Sequence, residues 1–152
     1  MEWQKDDVTI STDKSKLDIA YIHNFLSNES YWAPGIPYYI VKRSIENSLC
    51  FGMYDGKKQI GFARIITDEA TFGYLADVFI DTSYRGRGLG KWLMQIICDL
   101  PFMPILRRLM LGTKDAHKLY QQFGFAPLTF PERFMQVHRP EVYKMREDEK
   151  PK

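Results

Sequence analysis

The sequence predicts a mixed α/β fold, in which a central, mostly antiparallel sheet carries helices on both faces and includes a parallel β–α–β unit. Three observations predict it. Two apolar runs, 49–54 and 59–68, flank Asp55-Gly56, a pair that signals a hairpin because its turn positions favour positive φ. A longer strand over 71–81 runs into a glycine-rich turn and then into a segment of helical period, marked by Leu89, Leu93, Ile96, Ile97 and Leu100. Another strand follows over 108–112, so the crossover from 71–81 through that helix is expected to be right-handed and parallel. The 152 residues suit a single domain.

In chain order, 8–11 reads as a short first strand. Leu17, Ala20, Tyr21 and Leu26 recur at about helical spacing after the polar Ser11-Thr12-Asp13, which predicts a helix over 14–26. Tyr31-Trp32-Ala33-Pro34-Gly35-Ile36-Pro37 is a loop rich in aromatic residues. Pro37 opens a second helix reaching Asn47, since proline fits the first helical turn. After the hairpin and the 71–81 strand, Pro101 stops the helix that begins near Leu89. Beyond 108–112, Ala116, Leu119, Tyr120 and Phe123 mark a short helix, closed by Gly124, the residue type that accepts a left-handed cap. A last strand is expected over 134–138, and 141–152 is a charged tail expected to fray.

The totals narrow the function. A net charge of +2 with no basic block argues against a nucleic-acid footprint. Basic residues gather at Lys42-Arg43, Arg85 to Lys91 and Arg107-Arg108, a scale that suits a small polyanion better than a duplex. Cys50 and Cys98 lie in apolar runs and read as buried free thiols, and no Cys/His cluster has ligand spacing, so no metal is expected. The charged N-terminal thirty residues do not read as a signal peptide, and no apolar stretch approaches the length of a membrane span. A cytoplasmic protein without nucleic-acid or membrane partners is the expectation, and a homodimer is allowed.

The segment richest in chemistry is Asp81-Thr82-Ser83-Tyr84-Arg85-Gly86-Arg87-Gly88-Leu89-Gly90-Lys91. Its glycines let the backbone bend and let a ligand approach the amides without meeting a Cβ. The first N–H groups of the helix it opens have no intrahelical partner and sit at the positive end of the helix dipole. That makes an anion site, to which Arg85, Arg87 and Lys91 add charge. A dinucleotide fingerprint fails here, because Lys91 or Leu93 stands where its third glycine belongs. A P-loop ending at Gly90-Lys91 fails too, with Arg85 in place of its first glycine and Trp92 in place of Ser or Thr.

The pattern that fits is R-x-x-G-x-G, as Arg85, Gly88 and Gly90, entered from Val78-Phe79-Ile80. It resembles the acyl-CoA-binding signature of the GNAT family of N-acetyltransferases. Downstream, Ala116 to Phe125 resembles the family's A-x-x-L-Y-x-x-x-G-F segment. The resemblance spans roughly residues 49 to 126, and the N-terminal third follows by element order alone. It implies one acyl-CoA N-acyltransferase domain over 1–140, with acetyl-CoA as co-substrate. It also implies a cofactor site made of Val78, Phe79, Ile80, Arg85, Gly86, Arg87, Gly88, Leu89, Gly90, Lys91 and Thr113. The amides of the turn would hold the pyrophosphate, and the end of the 71–81 strand would pair with the pantetheine arm and offer oxyanion donors near Phe79 and Ile80.

Acetyl transfer to an amine needs a proton acceptor for the amine, donors for the oxyanion and a donor for the leaving thiolate. Tyr120 stands where the family's proton donor to the thiolate stands. The alternative is a tyrosine packed by its ring. Asp77, a carboxylate inside an apolar run, has the setting of a general base; the alternatives are an exposed strand face or a pair with Arg64. Thr113 replaces the asparagine usual in the family, and either keeps one cofactor contact or caps the following helix. Tyr31, Trp32 and Tyr38, with Phe134 from the C-terminal side, fall where the family's variable segments wall the acceptor pocket, and aromatic walls suit an apolar or cationic acceptor. Neither cysteine lies in the turn, so direct transfer within a ternary complex is expected. Two other readings compete. One is a non-catalytic acyl-CoA-binding or regulatory domain. The other is an RNA-contacting arginine-glycine segment, which requires a disordered run rather than a strand-to-helix turn.

Overall fold

The computed structural model describes residues 1–144. Its six strands form one sheet in chain order: β1 Glu2–Lys5, β2 Val8–Ser11, β3 Leu49–Asp55, β4 Lys58–Thr67, β5 Phe72–Ile80 and β6 Arg108–Met110. All neighbours pair antiparallel except β5 and β6, which pair parallel. The helices are α1 Ile19–Asn28, α2 Tyr38–Glu46, α3 Leu89–Cys98 and α4 His117–Gln121.

Two hydrophobic layers cover the two sheet faces. On one, Leu93, Met94 and Ile97 of α3 meet Phe51, Met53, Ile65 and Leu75 of the sheet. On the other, Ile22 and Leu26 of α1 and Val41 and Ile45 of α2 meet Cys50, Phe62 and Phe79. The antiparallel sheet, the parallel β5–α3–β6 unit and the two helical layers are those the sequence predicts.

Several elements depart from expectation. β1 is an edge strand of Glu2-Trp3-Gln4-Lys5, too polar to show an apolar period, and it joins β2 through Asp6 at φ 53°. The helix expected over 14–26 is two pieces. Asp13 accepts from the Ser15 N–H and holds a single 3₁₀ turn over Lys14–Lys16, then Leu17 is extended and Asp18 caps α1 by accepting from the Tyr21 N–H. The hairpin turn is Gly56-Lys57, one residue later than Asp55-Gly56, and only Gly56 takes positive φ. β6 stops at Met110.

The segment 134–138 is not a strand. A strand needs an edge to bond to, and among the described residues this segment pairs with no strand. Phe134 instead lies over the guanidinium of Arg108, at 4.6 Å.

In the tail, Val142–Lys144 makes a 3₁₀ turn that packs Tyr143 on the α1–α2 layer. Residues 145–152, the rest of the tail expected to fray, lie outside the described residues.

Candidate active site

Two features of β5 build the site. The first is divergence from β6. The strands pair only over Phe72–Tyr74 and Arg108–Met110, so among the described residues the β5 edge from Leu75 to Ile80 has no strand beside it on that flank. On the other flank the Asp81 N–H reaches the Ile60 carbonyl at 2.7 Å. Because N–H groups alternate along a strand, the Ile80 N–H points away from β4 and into the cleft. Val78 and Ile80 line this edge half-buried, while the Phe79 ring is buried, stacked on Phe25 at 3.8 Å.

The second feature is a bulge. Phe62 pairs with Phe79 and Arg64 with Ala76, so Ala63 alone faces Asp77 and Val78. Asp77 takes the extra position at φ 53°, a costly conformation for a residue with a Cβ. The bulge shifts the alternation, so that Leu75 packs with the α3 layer but Phe79 with α1 and α2. Asp77 is thereby placed under the aromatic loop. Its Oδ1 accepts from Trp32 Nε1 at 2.9 Å and its Oδ2 from Arg64 Nε at 2.6 Å, while Arg64 Nη1 donates to Ser48 Oγ. The ion pair is largely buried.

The same loop reaches across the cleft. The Tyr31 hydroxyl accepts from the Lys114 N–H at 2.8 Å, and the Tyr31 and Trp32 rings meet edge to face. Residues 31–32 therefore bridge the β5 bulge and the connection between β6 and α4. Tyr120 lies near this bridge. Burial first, then Tyr31 and Asp115, push its hydroxyl pKa upward.

At the far end of β5 the chain makes a 3₁₀ turn over Thr82–Tyr84, held by Asp81, which accepts from the Ser83 N–H and hydroxyl. The Tyr84 hydroxyl donates to Asp55 Oδ2 at 2.7 Å, tying the turn to the β3–β4 hairpin, and Arg85 Nε donates to the Ile80 carbonyl. Gly86 and Gly88 take φ near 79° and 76°, and Gly88 caps α3. A Cβ at Gly86, Gly88 or Gly90 would meet nothing within 4 Å, so the space in front of the turn is open. No N–H from Gly86 to Lys91 bonds a backbone carbonyl among the described residues. A row of free amides at a helix N-terminus, beside exposed Arg85, Arg87 and Lys91, fits a pyrophosphate.

The structure thus gathers Val78, Ile80 and the 85–91 turn along one open cleft, with Tyr31, Trp32, Asp77 and Tyr120 around its other end. The Thr113 hydroxyl is engaged as a cap, accepting from the Ala116 N–H at 3.1 Å. Tyr38 packs edge to face on His23, and Phe134 stays beside Arg108, opposite Phe72 and away from the bulge. Tyr143 was not among the sequence candidates. It joins the α1–α2 layer, and after burial the nearby Asp77 charge pushes its pKa up. Its only sequence signal is a lone aromatic in a charged tail. The Cys50 thiol is buried and pushed up to about 11, which removes it as a nucleophile.

A recess of about 980 Å³ lies elsewhere, between β6 and the 125–134 segment. It reaches Thr113 and Tyr120 but no residue of the 77–91 stretch. Among the described residues no helix is long and apolar enough to cross a membrane.

Residues 17–125 match the family model described as the acetyltransferase (GNAT) family. A protein of Gibberella zeae that carries the name of an acetyltransferase is 34% identical over 138 residues, covering 78% of each chain. The crystal structure of a Xanthomonas campestris protein described as belonging to the GNAT family is 46% identical, covers 91% of this chain and 97% of its own, and superposes with a TM-score of 0.88. Glucosamine-6-phosphate N-acetyltransferase from Arabidopsis thaliana shares the fold alone, at 15% identity and a TM-score of 0.60, over 87% of this chain and 97% of its own.

Proposed function

Because the chain belongs to the GNAT family of acetyltransferases, we propose that it transfers an acetyl group from acetyl-CoA to a primary amine by direct attack within a ternary complex. The observation that carries this reading is the continuity of the cleft. An unpaired β5 edge, able to bond a pantetheine arm as an added strand, is followed after the Thr82–Tyr84 turn by the row of free amides at the start of α3.

The residues divide the work as follows. Gly86 to Lys91 take the pyrophosphate through their amides, with Arg85, Arg87 and Lys91 supplying charge. The Ile80 N–H faces the thioester carbonyl and steadies the oxygen as it gains charge. As the amine nitrogen bonds the acetyl carbon, the carbon–sulfur bond breaks and the sulfur leaves with the electron pair. Tyr120 gives that thiolate a proton, and its raised pKa keeps the proton in place at neutral pH until then. The acceptor enters over Tyr31 and Trp32. Both Asp77 oxygens are engaged, which supports an anchoring role for it: it fixes Trp32, and a solvent water takes the amine proton. Free cysteines and the lack of an apolar spanning helix among the described residues suit the cytoplasm.

The test is a thiol-release screen with acetyl-CoA against amines, amino acids, polyamines and peptides, alongside calorimetry of acetyl-CoA binding. Binding together with release that depends on an amine supports the proposal. Binding with no release for any amine selects the non-catalytic acyl-CoA-binding domain. Absence of binding overturns both.

A further inference from the structure

The split between β5 and β6 is closed at its narrow end. The last paired residues are Tyr74 and Met110. Beyond them β5 continues into the Asp77 bulge, while the chain leaving β6 runs through Leu111 and Thr113 to Lys114. Tyr31 and Trp32 span the gap between these two branches, with one side chain tied to each. Trp32 Nε1 donates to Asp77 Oδ1 at 2.9 Å, and the Lys114 N–H donates to the Tyr31 hydroxyl at 2.8 Å. The Lys114 ammonium also lies over the Tyr31 ring, 5.7 Å from its centre. Together with the Tyr74–Met110 pair, these two hydrogen bonds complete a ring around the narrow end.

The bridge is braced from behind. Its two rings meet edge to face at 5.1 Å, and the Trp32 ring packs on buried Phe25 at 6.2 Å. The buried Ser30 hydroxyl donates to the Leu26 carbonyl at 2.6 Å and accepts from the Ala33 N–H at 3.1 Å, and the Gly35 N–H donates to the Ser27 carbonyl. These bonds fix the segment to α1 on both sides of the two rings. A group pressing on the bridge from inside the split would have to break hydrogen bonds to move it.

We propose that Tyr31 and Trp32 set the length of the acyl group, admitting acetyl and excluding a chain as long as octanoyl. On the acetyl-transfer reading, which this proposal presupposes, the pyrophosphate lies at 85–91 and the thioester carbonyl faces the Ile80 N–H. A cofactor so placed runs back along β5, and its acyl group points toward the closed end. Asp77 lies three residues before Ile80, about 10 Å along a strand. Van der Waals contact with the bridge takes about 3.5–4 Å of that distance, which leaves roughly 6 Å. An extended chain gains about 1.3 Å per carbon, so acetyl fits with room to spare, whereas octanoyl needs about 9 Å. The outer faces of the same two rings, 46% and 40% exposed, remain for the acceptor.

Calorimetry of the full chain with acetyl-CoA and with octanoyl-CoA, in the absence of any amine, tests this. The wild type is expected to bind octanoyl-CoA about 10-fold or more less tightly than acetyl-CoA, since even one methylene too many in a closed apolar pocket is discriminated by about 10–200-fold. Trp32→Ala removes the wall and is expected to bring the two affinities within about twofold of each other. Tyr31→Phe keeps the ring and cuts only the bond to the Lys114 N–H, so it is expected to keep its circular dichroism and to narrow the difference in part. Equal affinities in the wild type overturn the proposal and leave the transfer reading standing, because acetyl-CoA still binds. Discrimination that survives both variants also overturns it and puts the length limit elsewhere in the cleft. If neither thioester binds, the transfer reading fails and the proposal fails with it.

Discussion

Tyr120 and Asp77 are both held by aromatic neighbours, but they differ in what a substitution would remove. The Tyr120 ring packs edge to face on Phe125 at 5.8 Å, and burial favours its neutral hydroxyl. Tyr120→Phe keeps the ring and takes only the proton donor. We therefore expect kcat to fall by about 10²–10⁴-fold, the usual range for general acid catalysis, with the KM for acetyl-CoA little changed, the pattern of an interaction made in the transition state. Steady-state kinetics with any accepted amine decide it, and a wild-type kcat would make Tyr120 a packing residue. Asp77→Asn leaves an acceptor for Trp32 but strips Arg64 of its counter-charge in a largely buried position. Stability should drop by about 3 kcal/mol, measured by urea unfolding. Because the Asn carbonyl oxygen still holds Trp32, the KM of the amine should change little and the acidic limb of the pH–rate profile should stay in place. A flattened limb would instead identify Asp77 as the proton acceptor. The pairing with Arg64 could be read from the sequence as one alternative, since both lie on adjacent predicted strands. Trp32 could not, because it lies 45 positions away and reaches Asp77 only through the bulge, which strand alternation does not foresee.

The start of α3 is the element that was easiest to read, because everything it needs is local. Glycine spacing, helix polarity and the flanking cations all lie within a few residues, and the structure places them as expected around open space. Elements that depend on distant neighbours were harder. β1 is polar and owes its existence to pairing with β2; the helix expected over 14–26 yields to Asp13 and Asp18, each of which bonds nearby N–H groups and ends the regular period. The 134–138 segment has strand composition, but composition cannot supply an edge. The α3 start also gives the cleanest binding test. Gly90 lies inside the first helical turn, without the positive φ of Gly88, so a side chain there adds no backbone strain. A carboxylate near a helix N-terminus is favourable by about 0.3–1 kcal/mol, so Gly90→Glu should fold at least as well as the wild type. It also places a negative charge where the pyrophosphate would sit. Calorimetry should show acetyl-CoA affinity lost by 100-fold or more (roughly 2.7 kcal/mol), and unchanged affinity would remove the turn from the cofactor site.

At the scale of the whole molecule, the cleft lies at the seam of its two hydrophobic layers. Phe79, at its floor, belongs to the α1–α2 layer, while Tyr120, at its rim, belongs to the α3 layer. The sheet is continuous on the β1 to β5 side and splits only between β5 and β6. A ligand that fills the split adds bonds along β5 and ties the two layers together, and it can do so only in the folded state. Binding of this kind stabilises the fold by about 2.7 kcal/mol when the free ligand is 100 times its dissociation constant. For a chain of this size 1 kcal/mol moves the melting temperature by about 2–4 °C, so acetyl-CoA should raise it by about 5–10 °C. The variants then sort by what they disturb. Tyr120→Phe should keep the full shift, since its loss is confined to the transition state. Gly90→Glu should show almost none at the same ligand concentration. The recess of about 980 Å³ beside β6, with Arg107 and Arg108 on its wall, is a second cationic site large enough to compete for the ligand. If Gly90→Glu retains the full thermal shift while Arg107→Glu with Arg108→Glu abolishes it, acetyl-CoA binds in that recess, and the cleft along β5 must be assigned to something else.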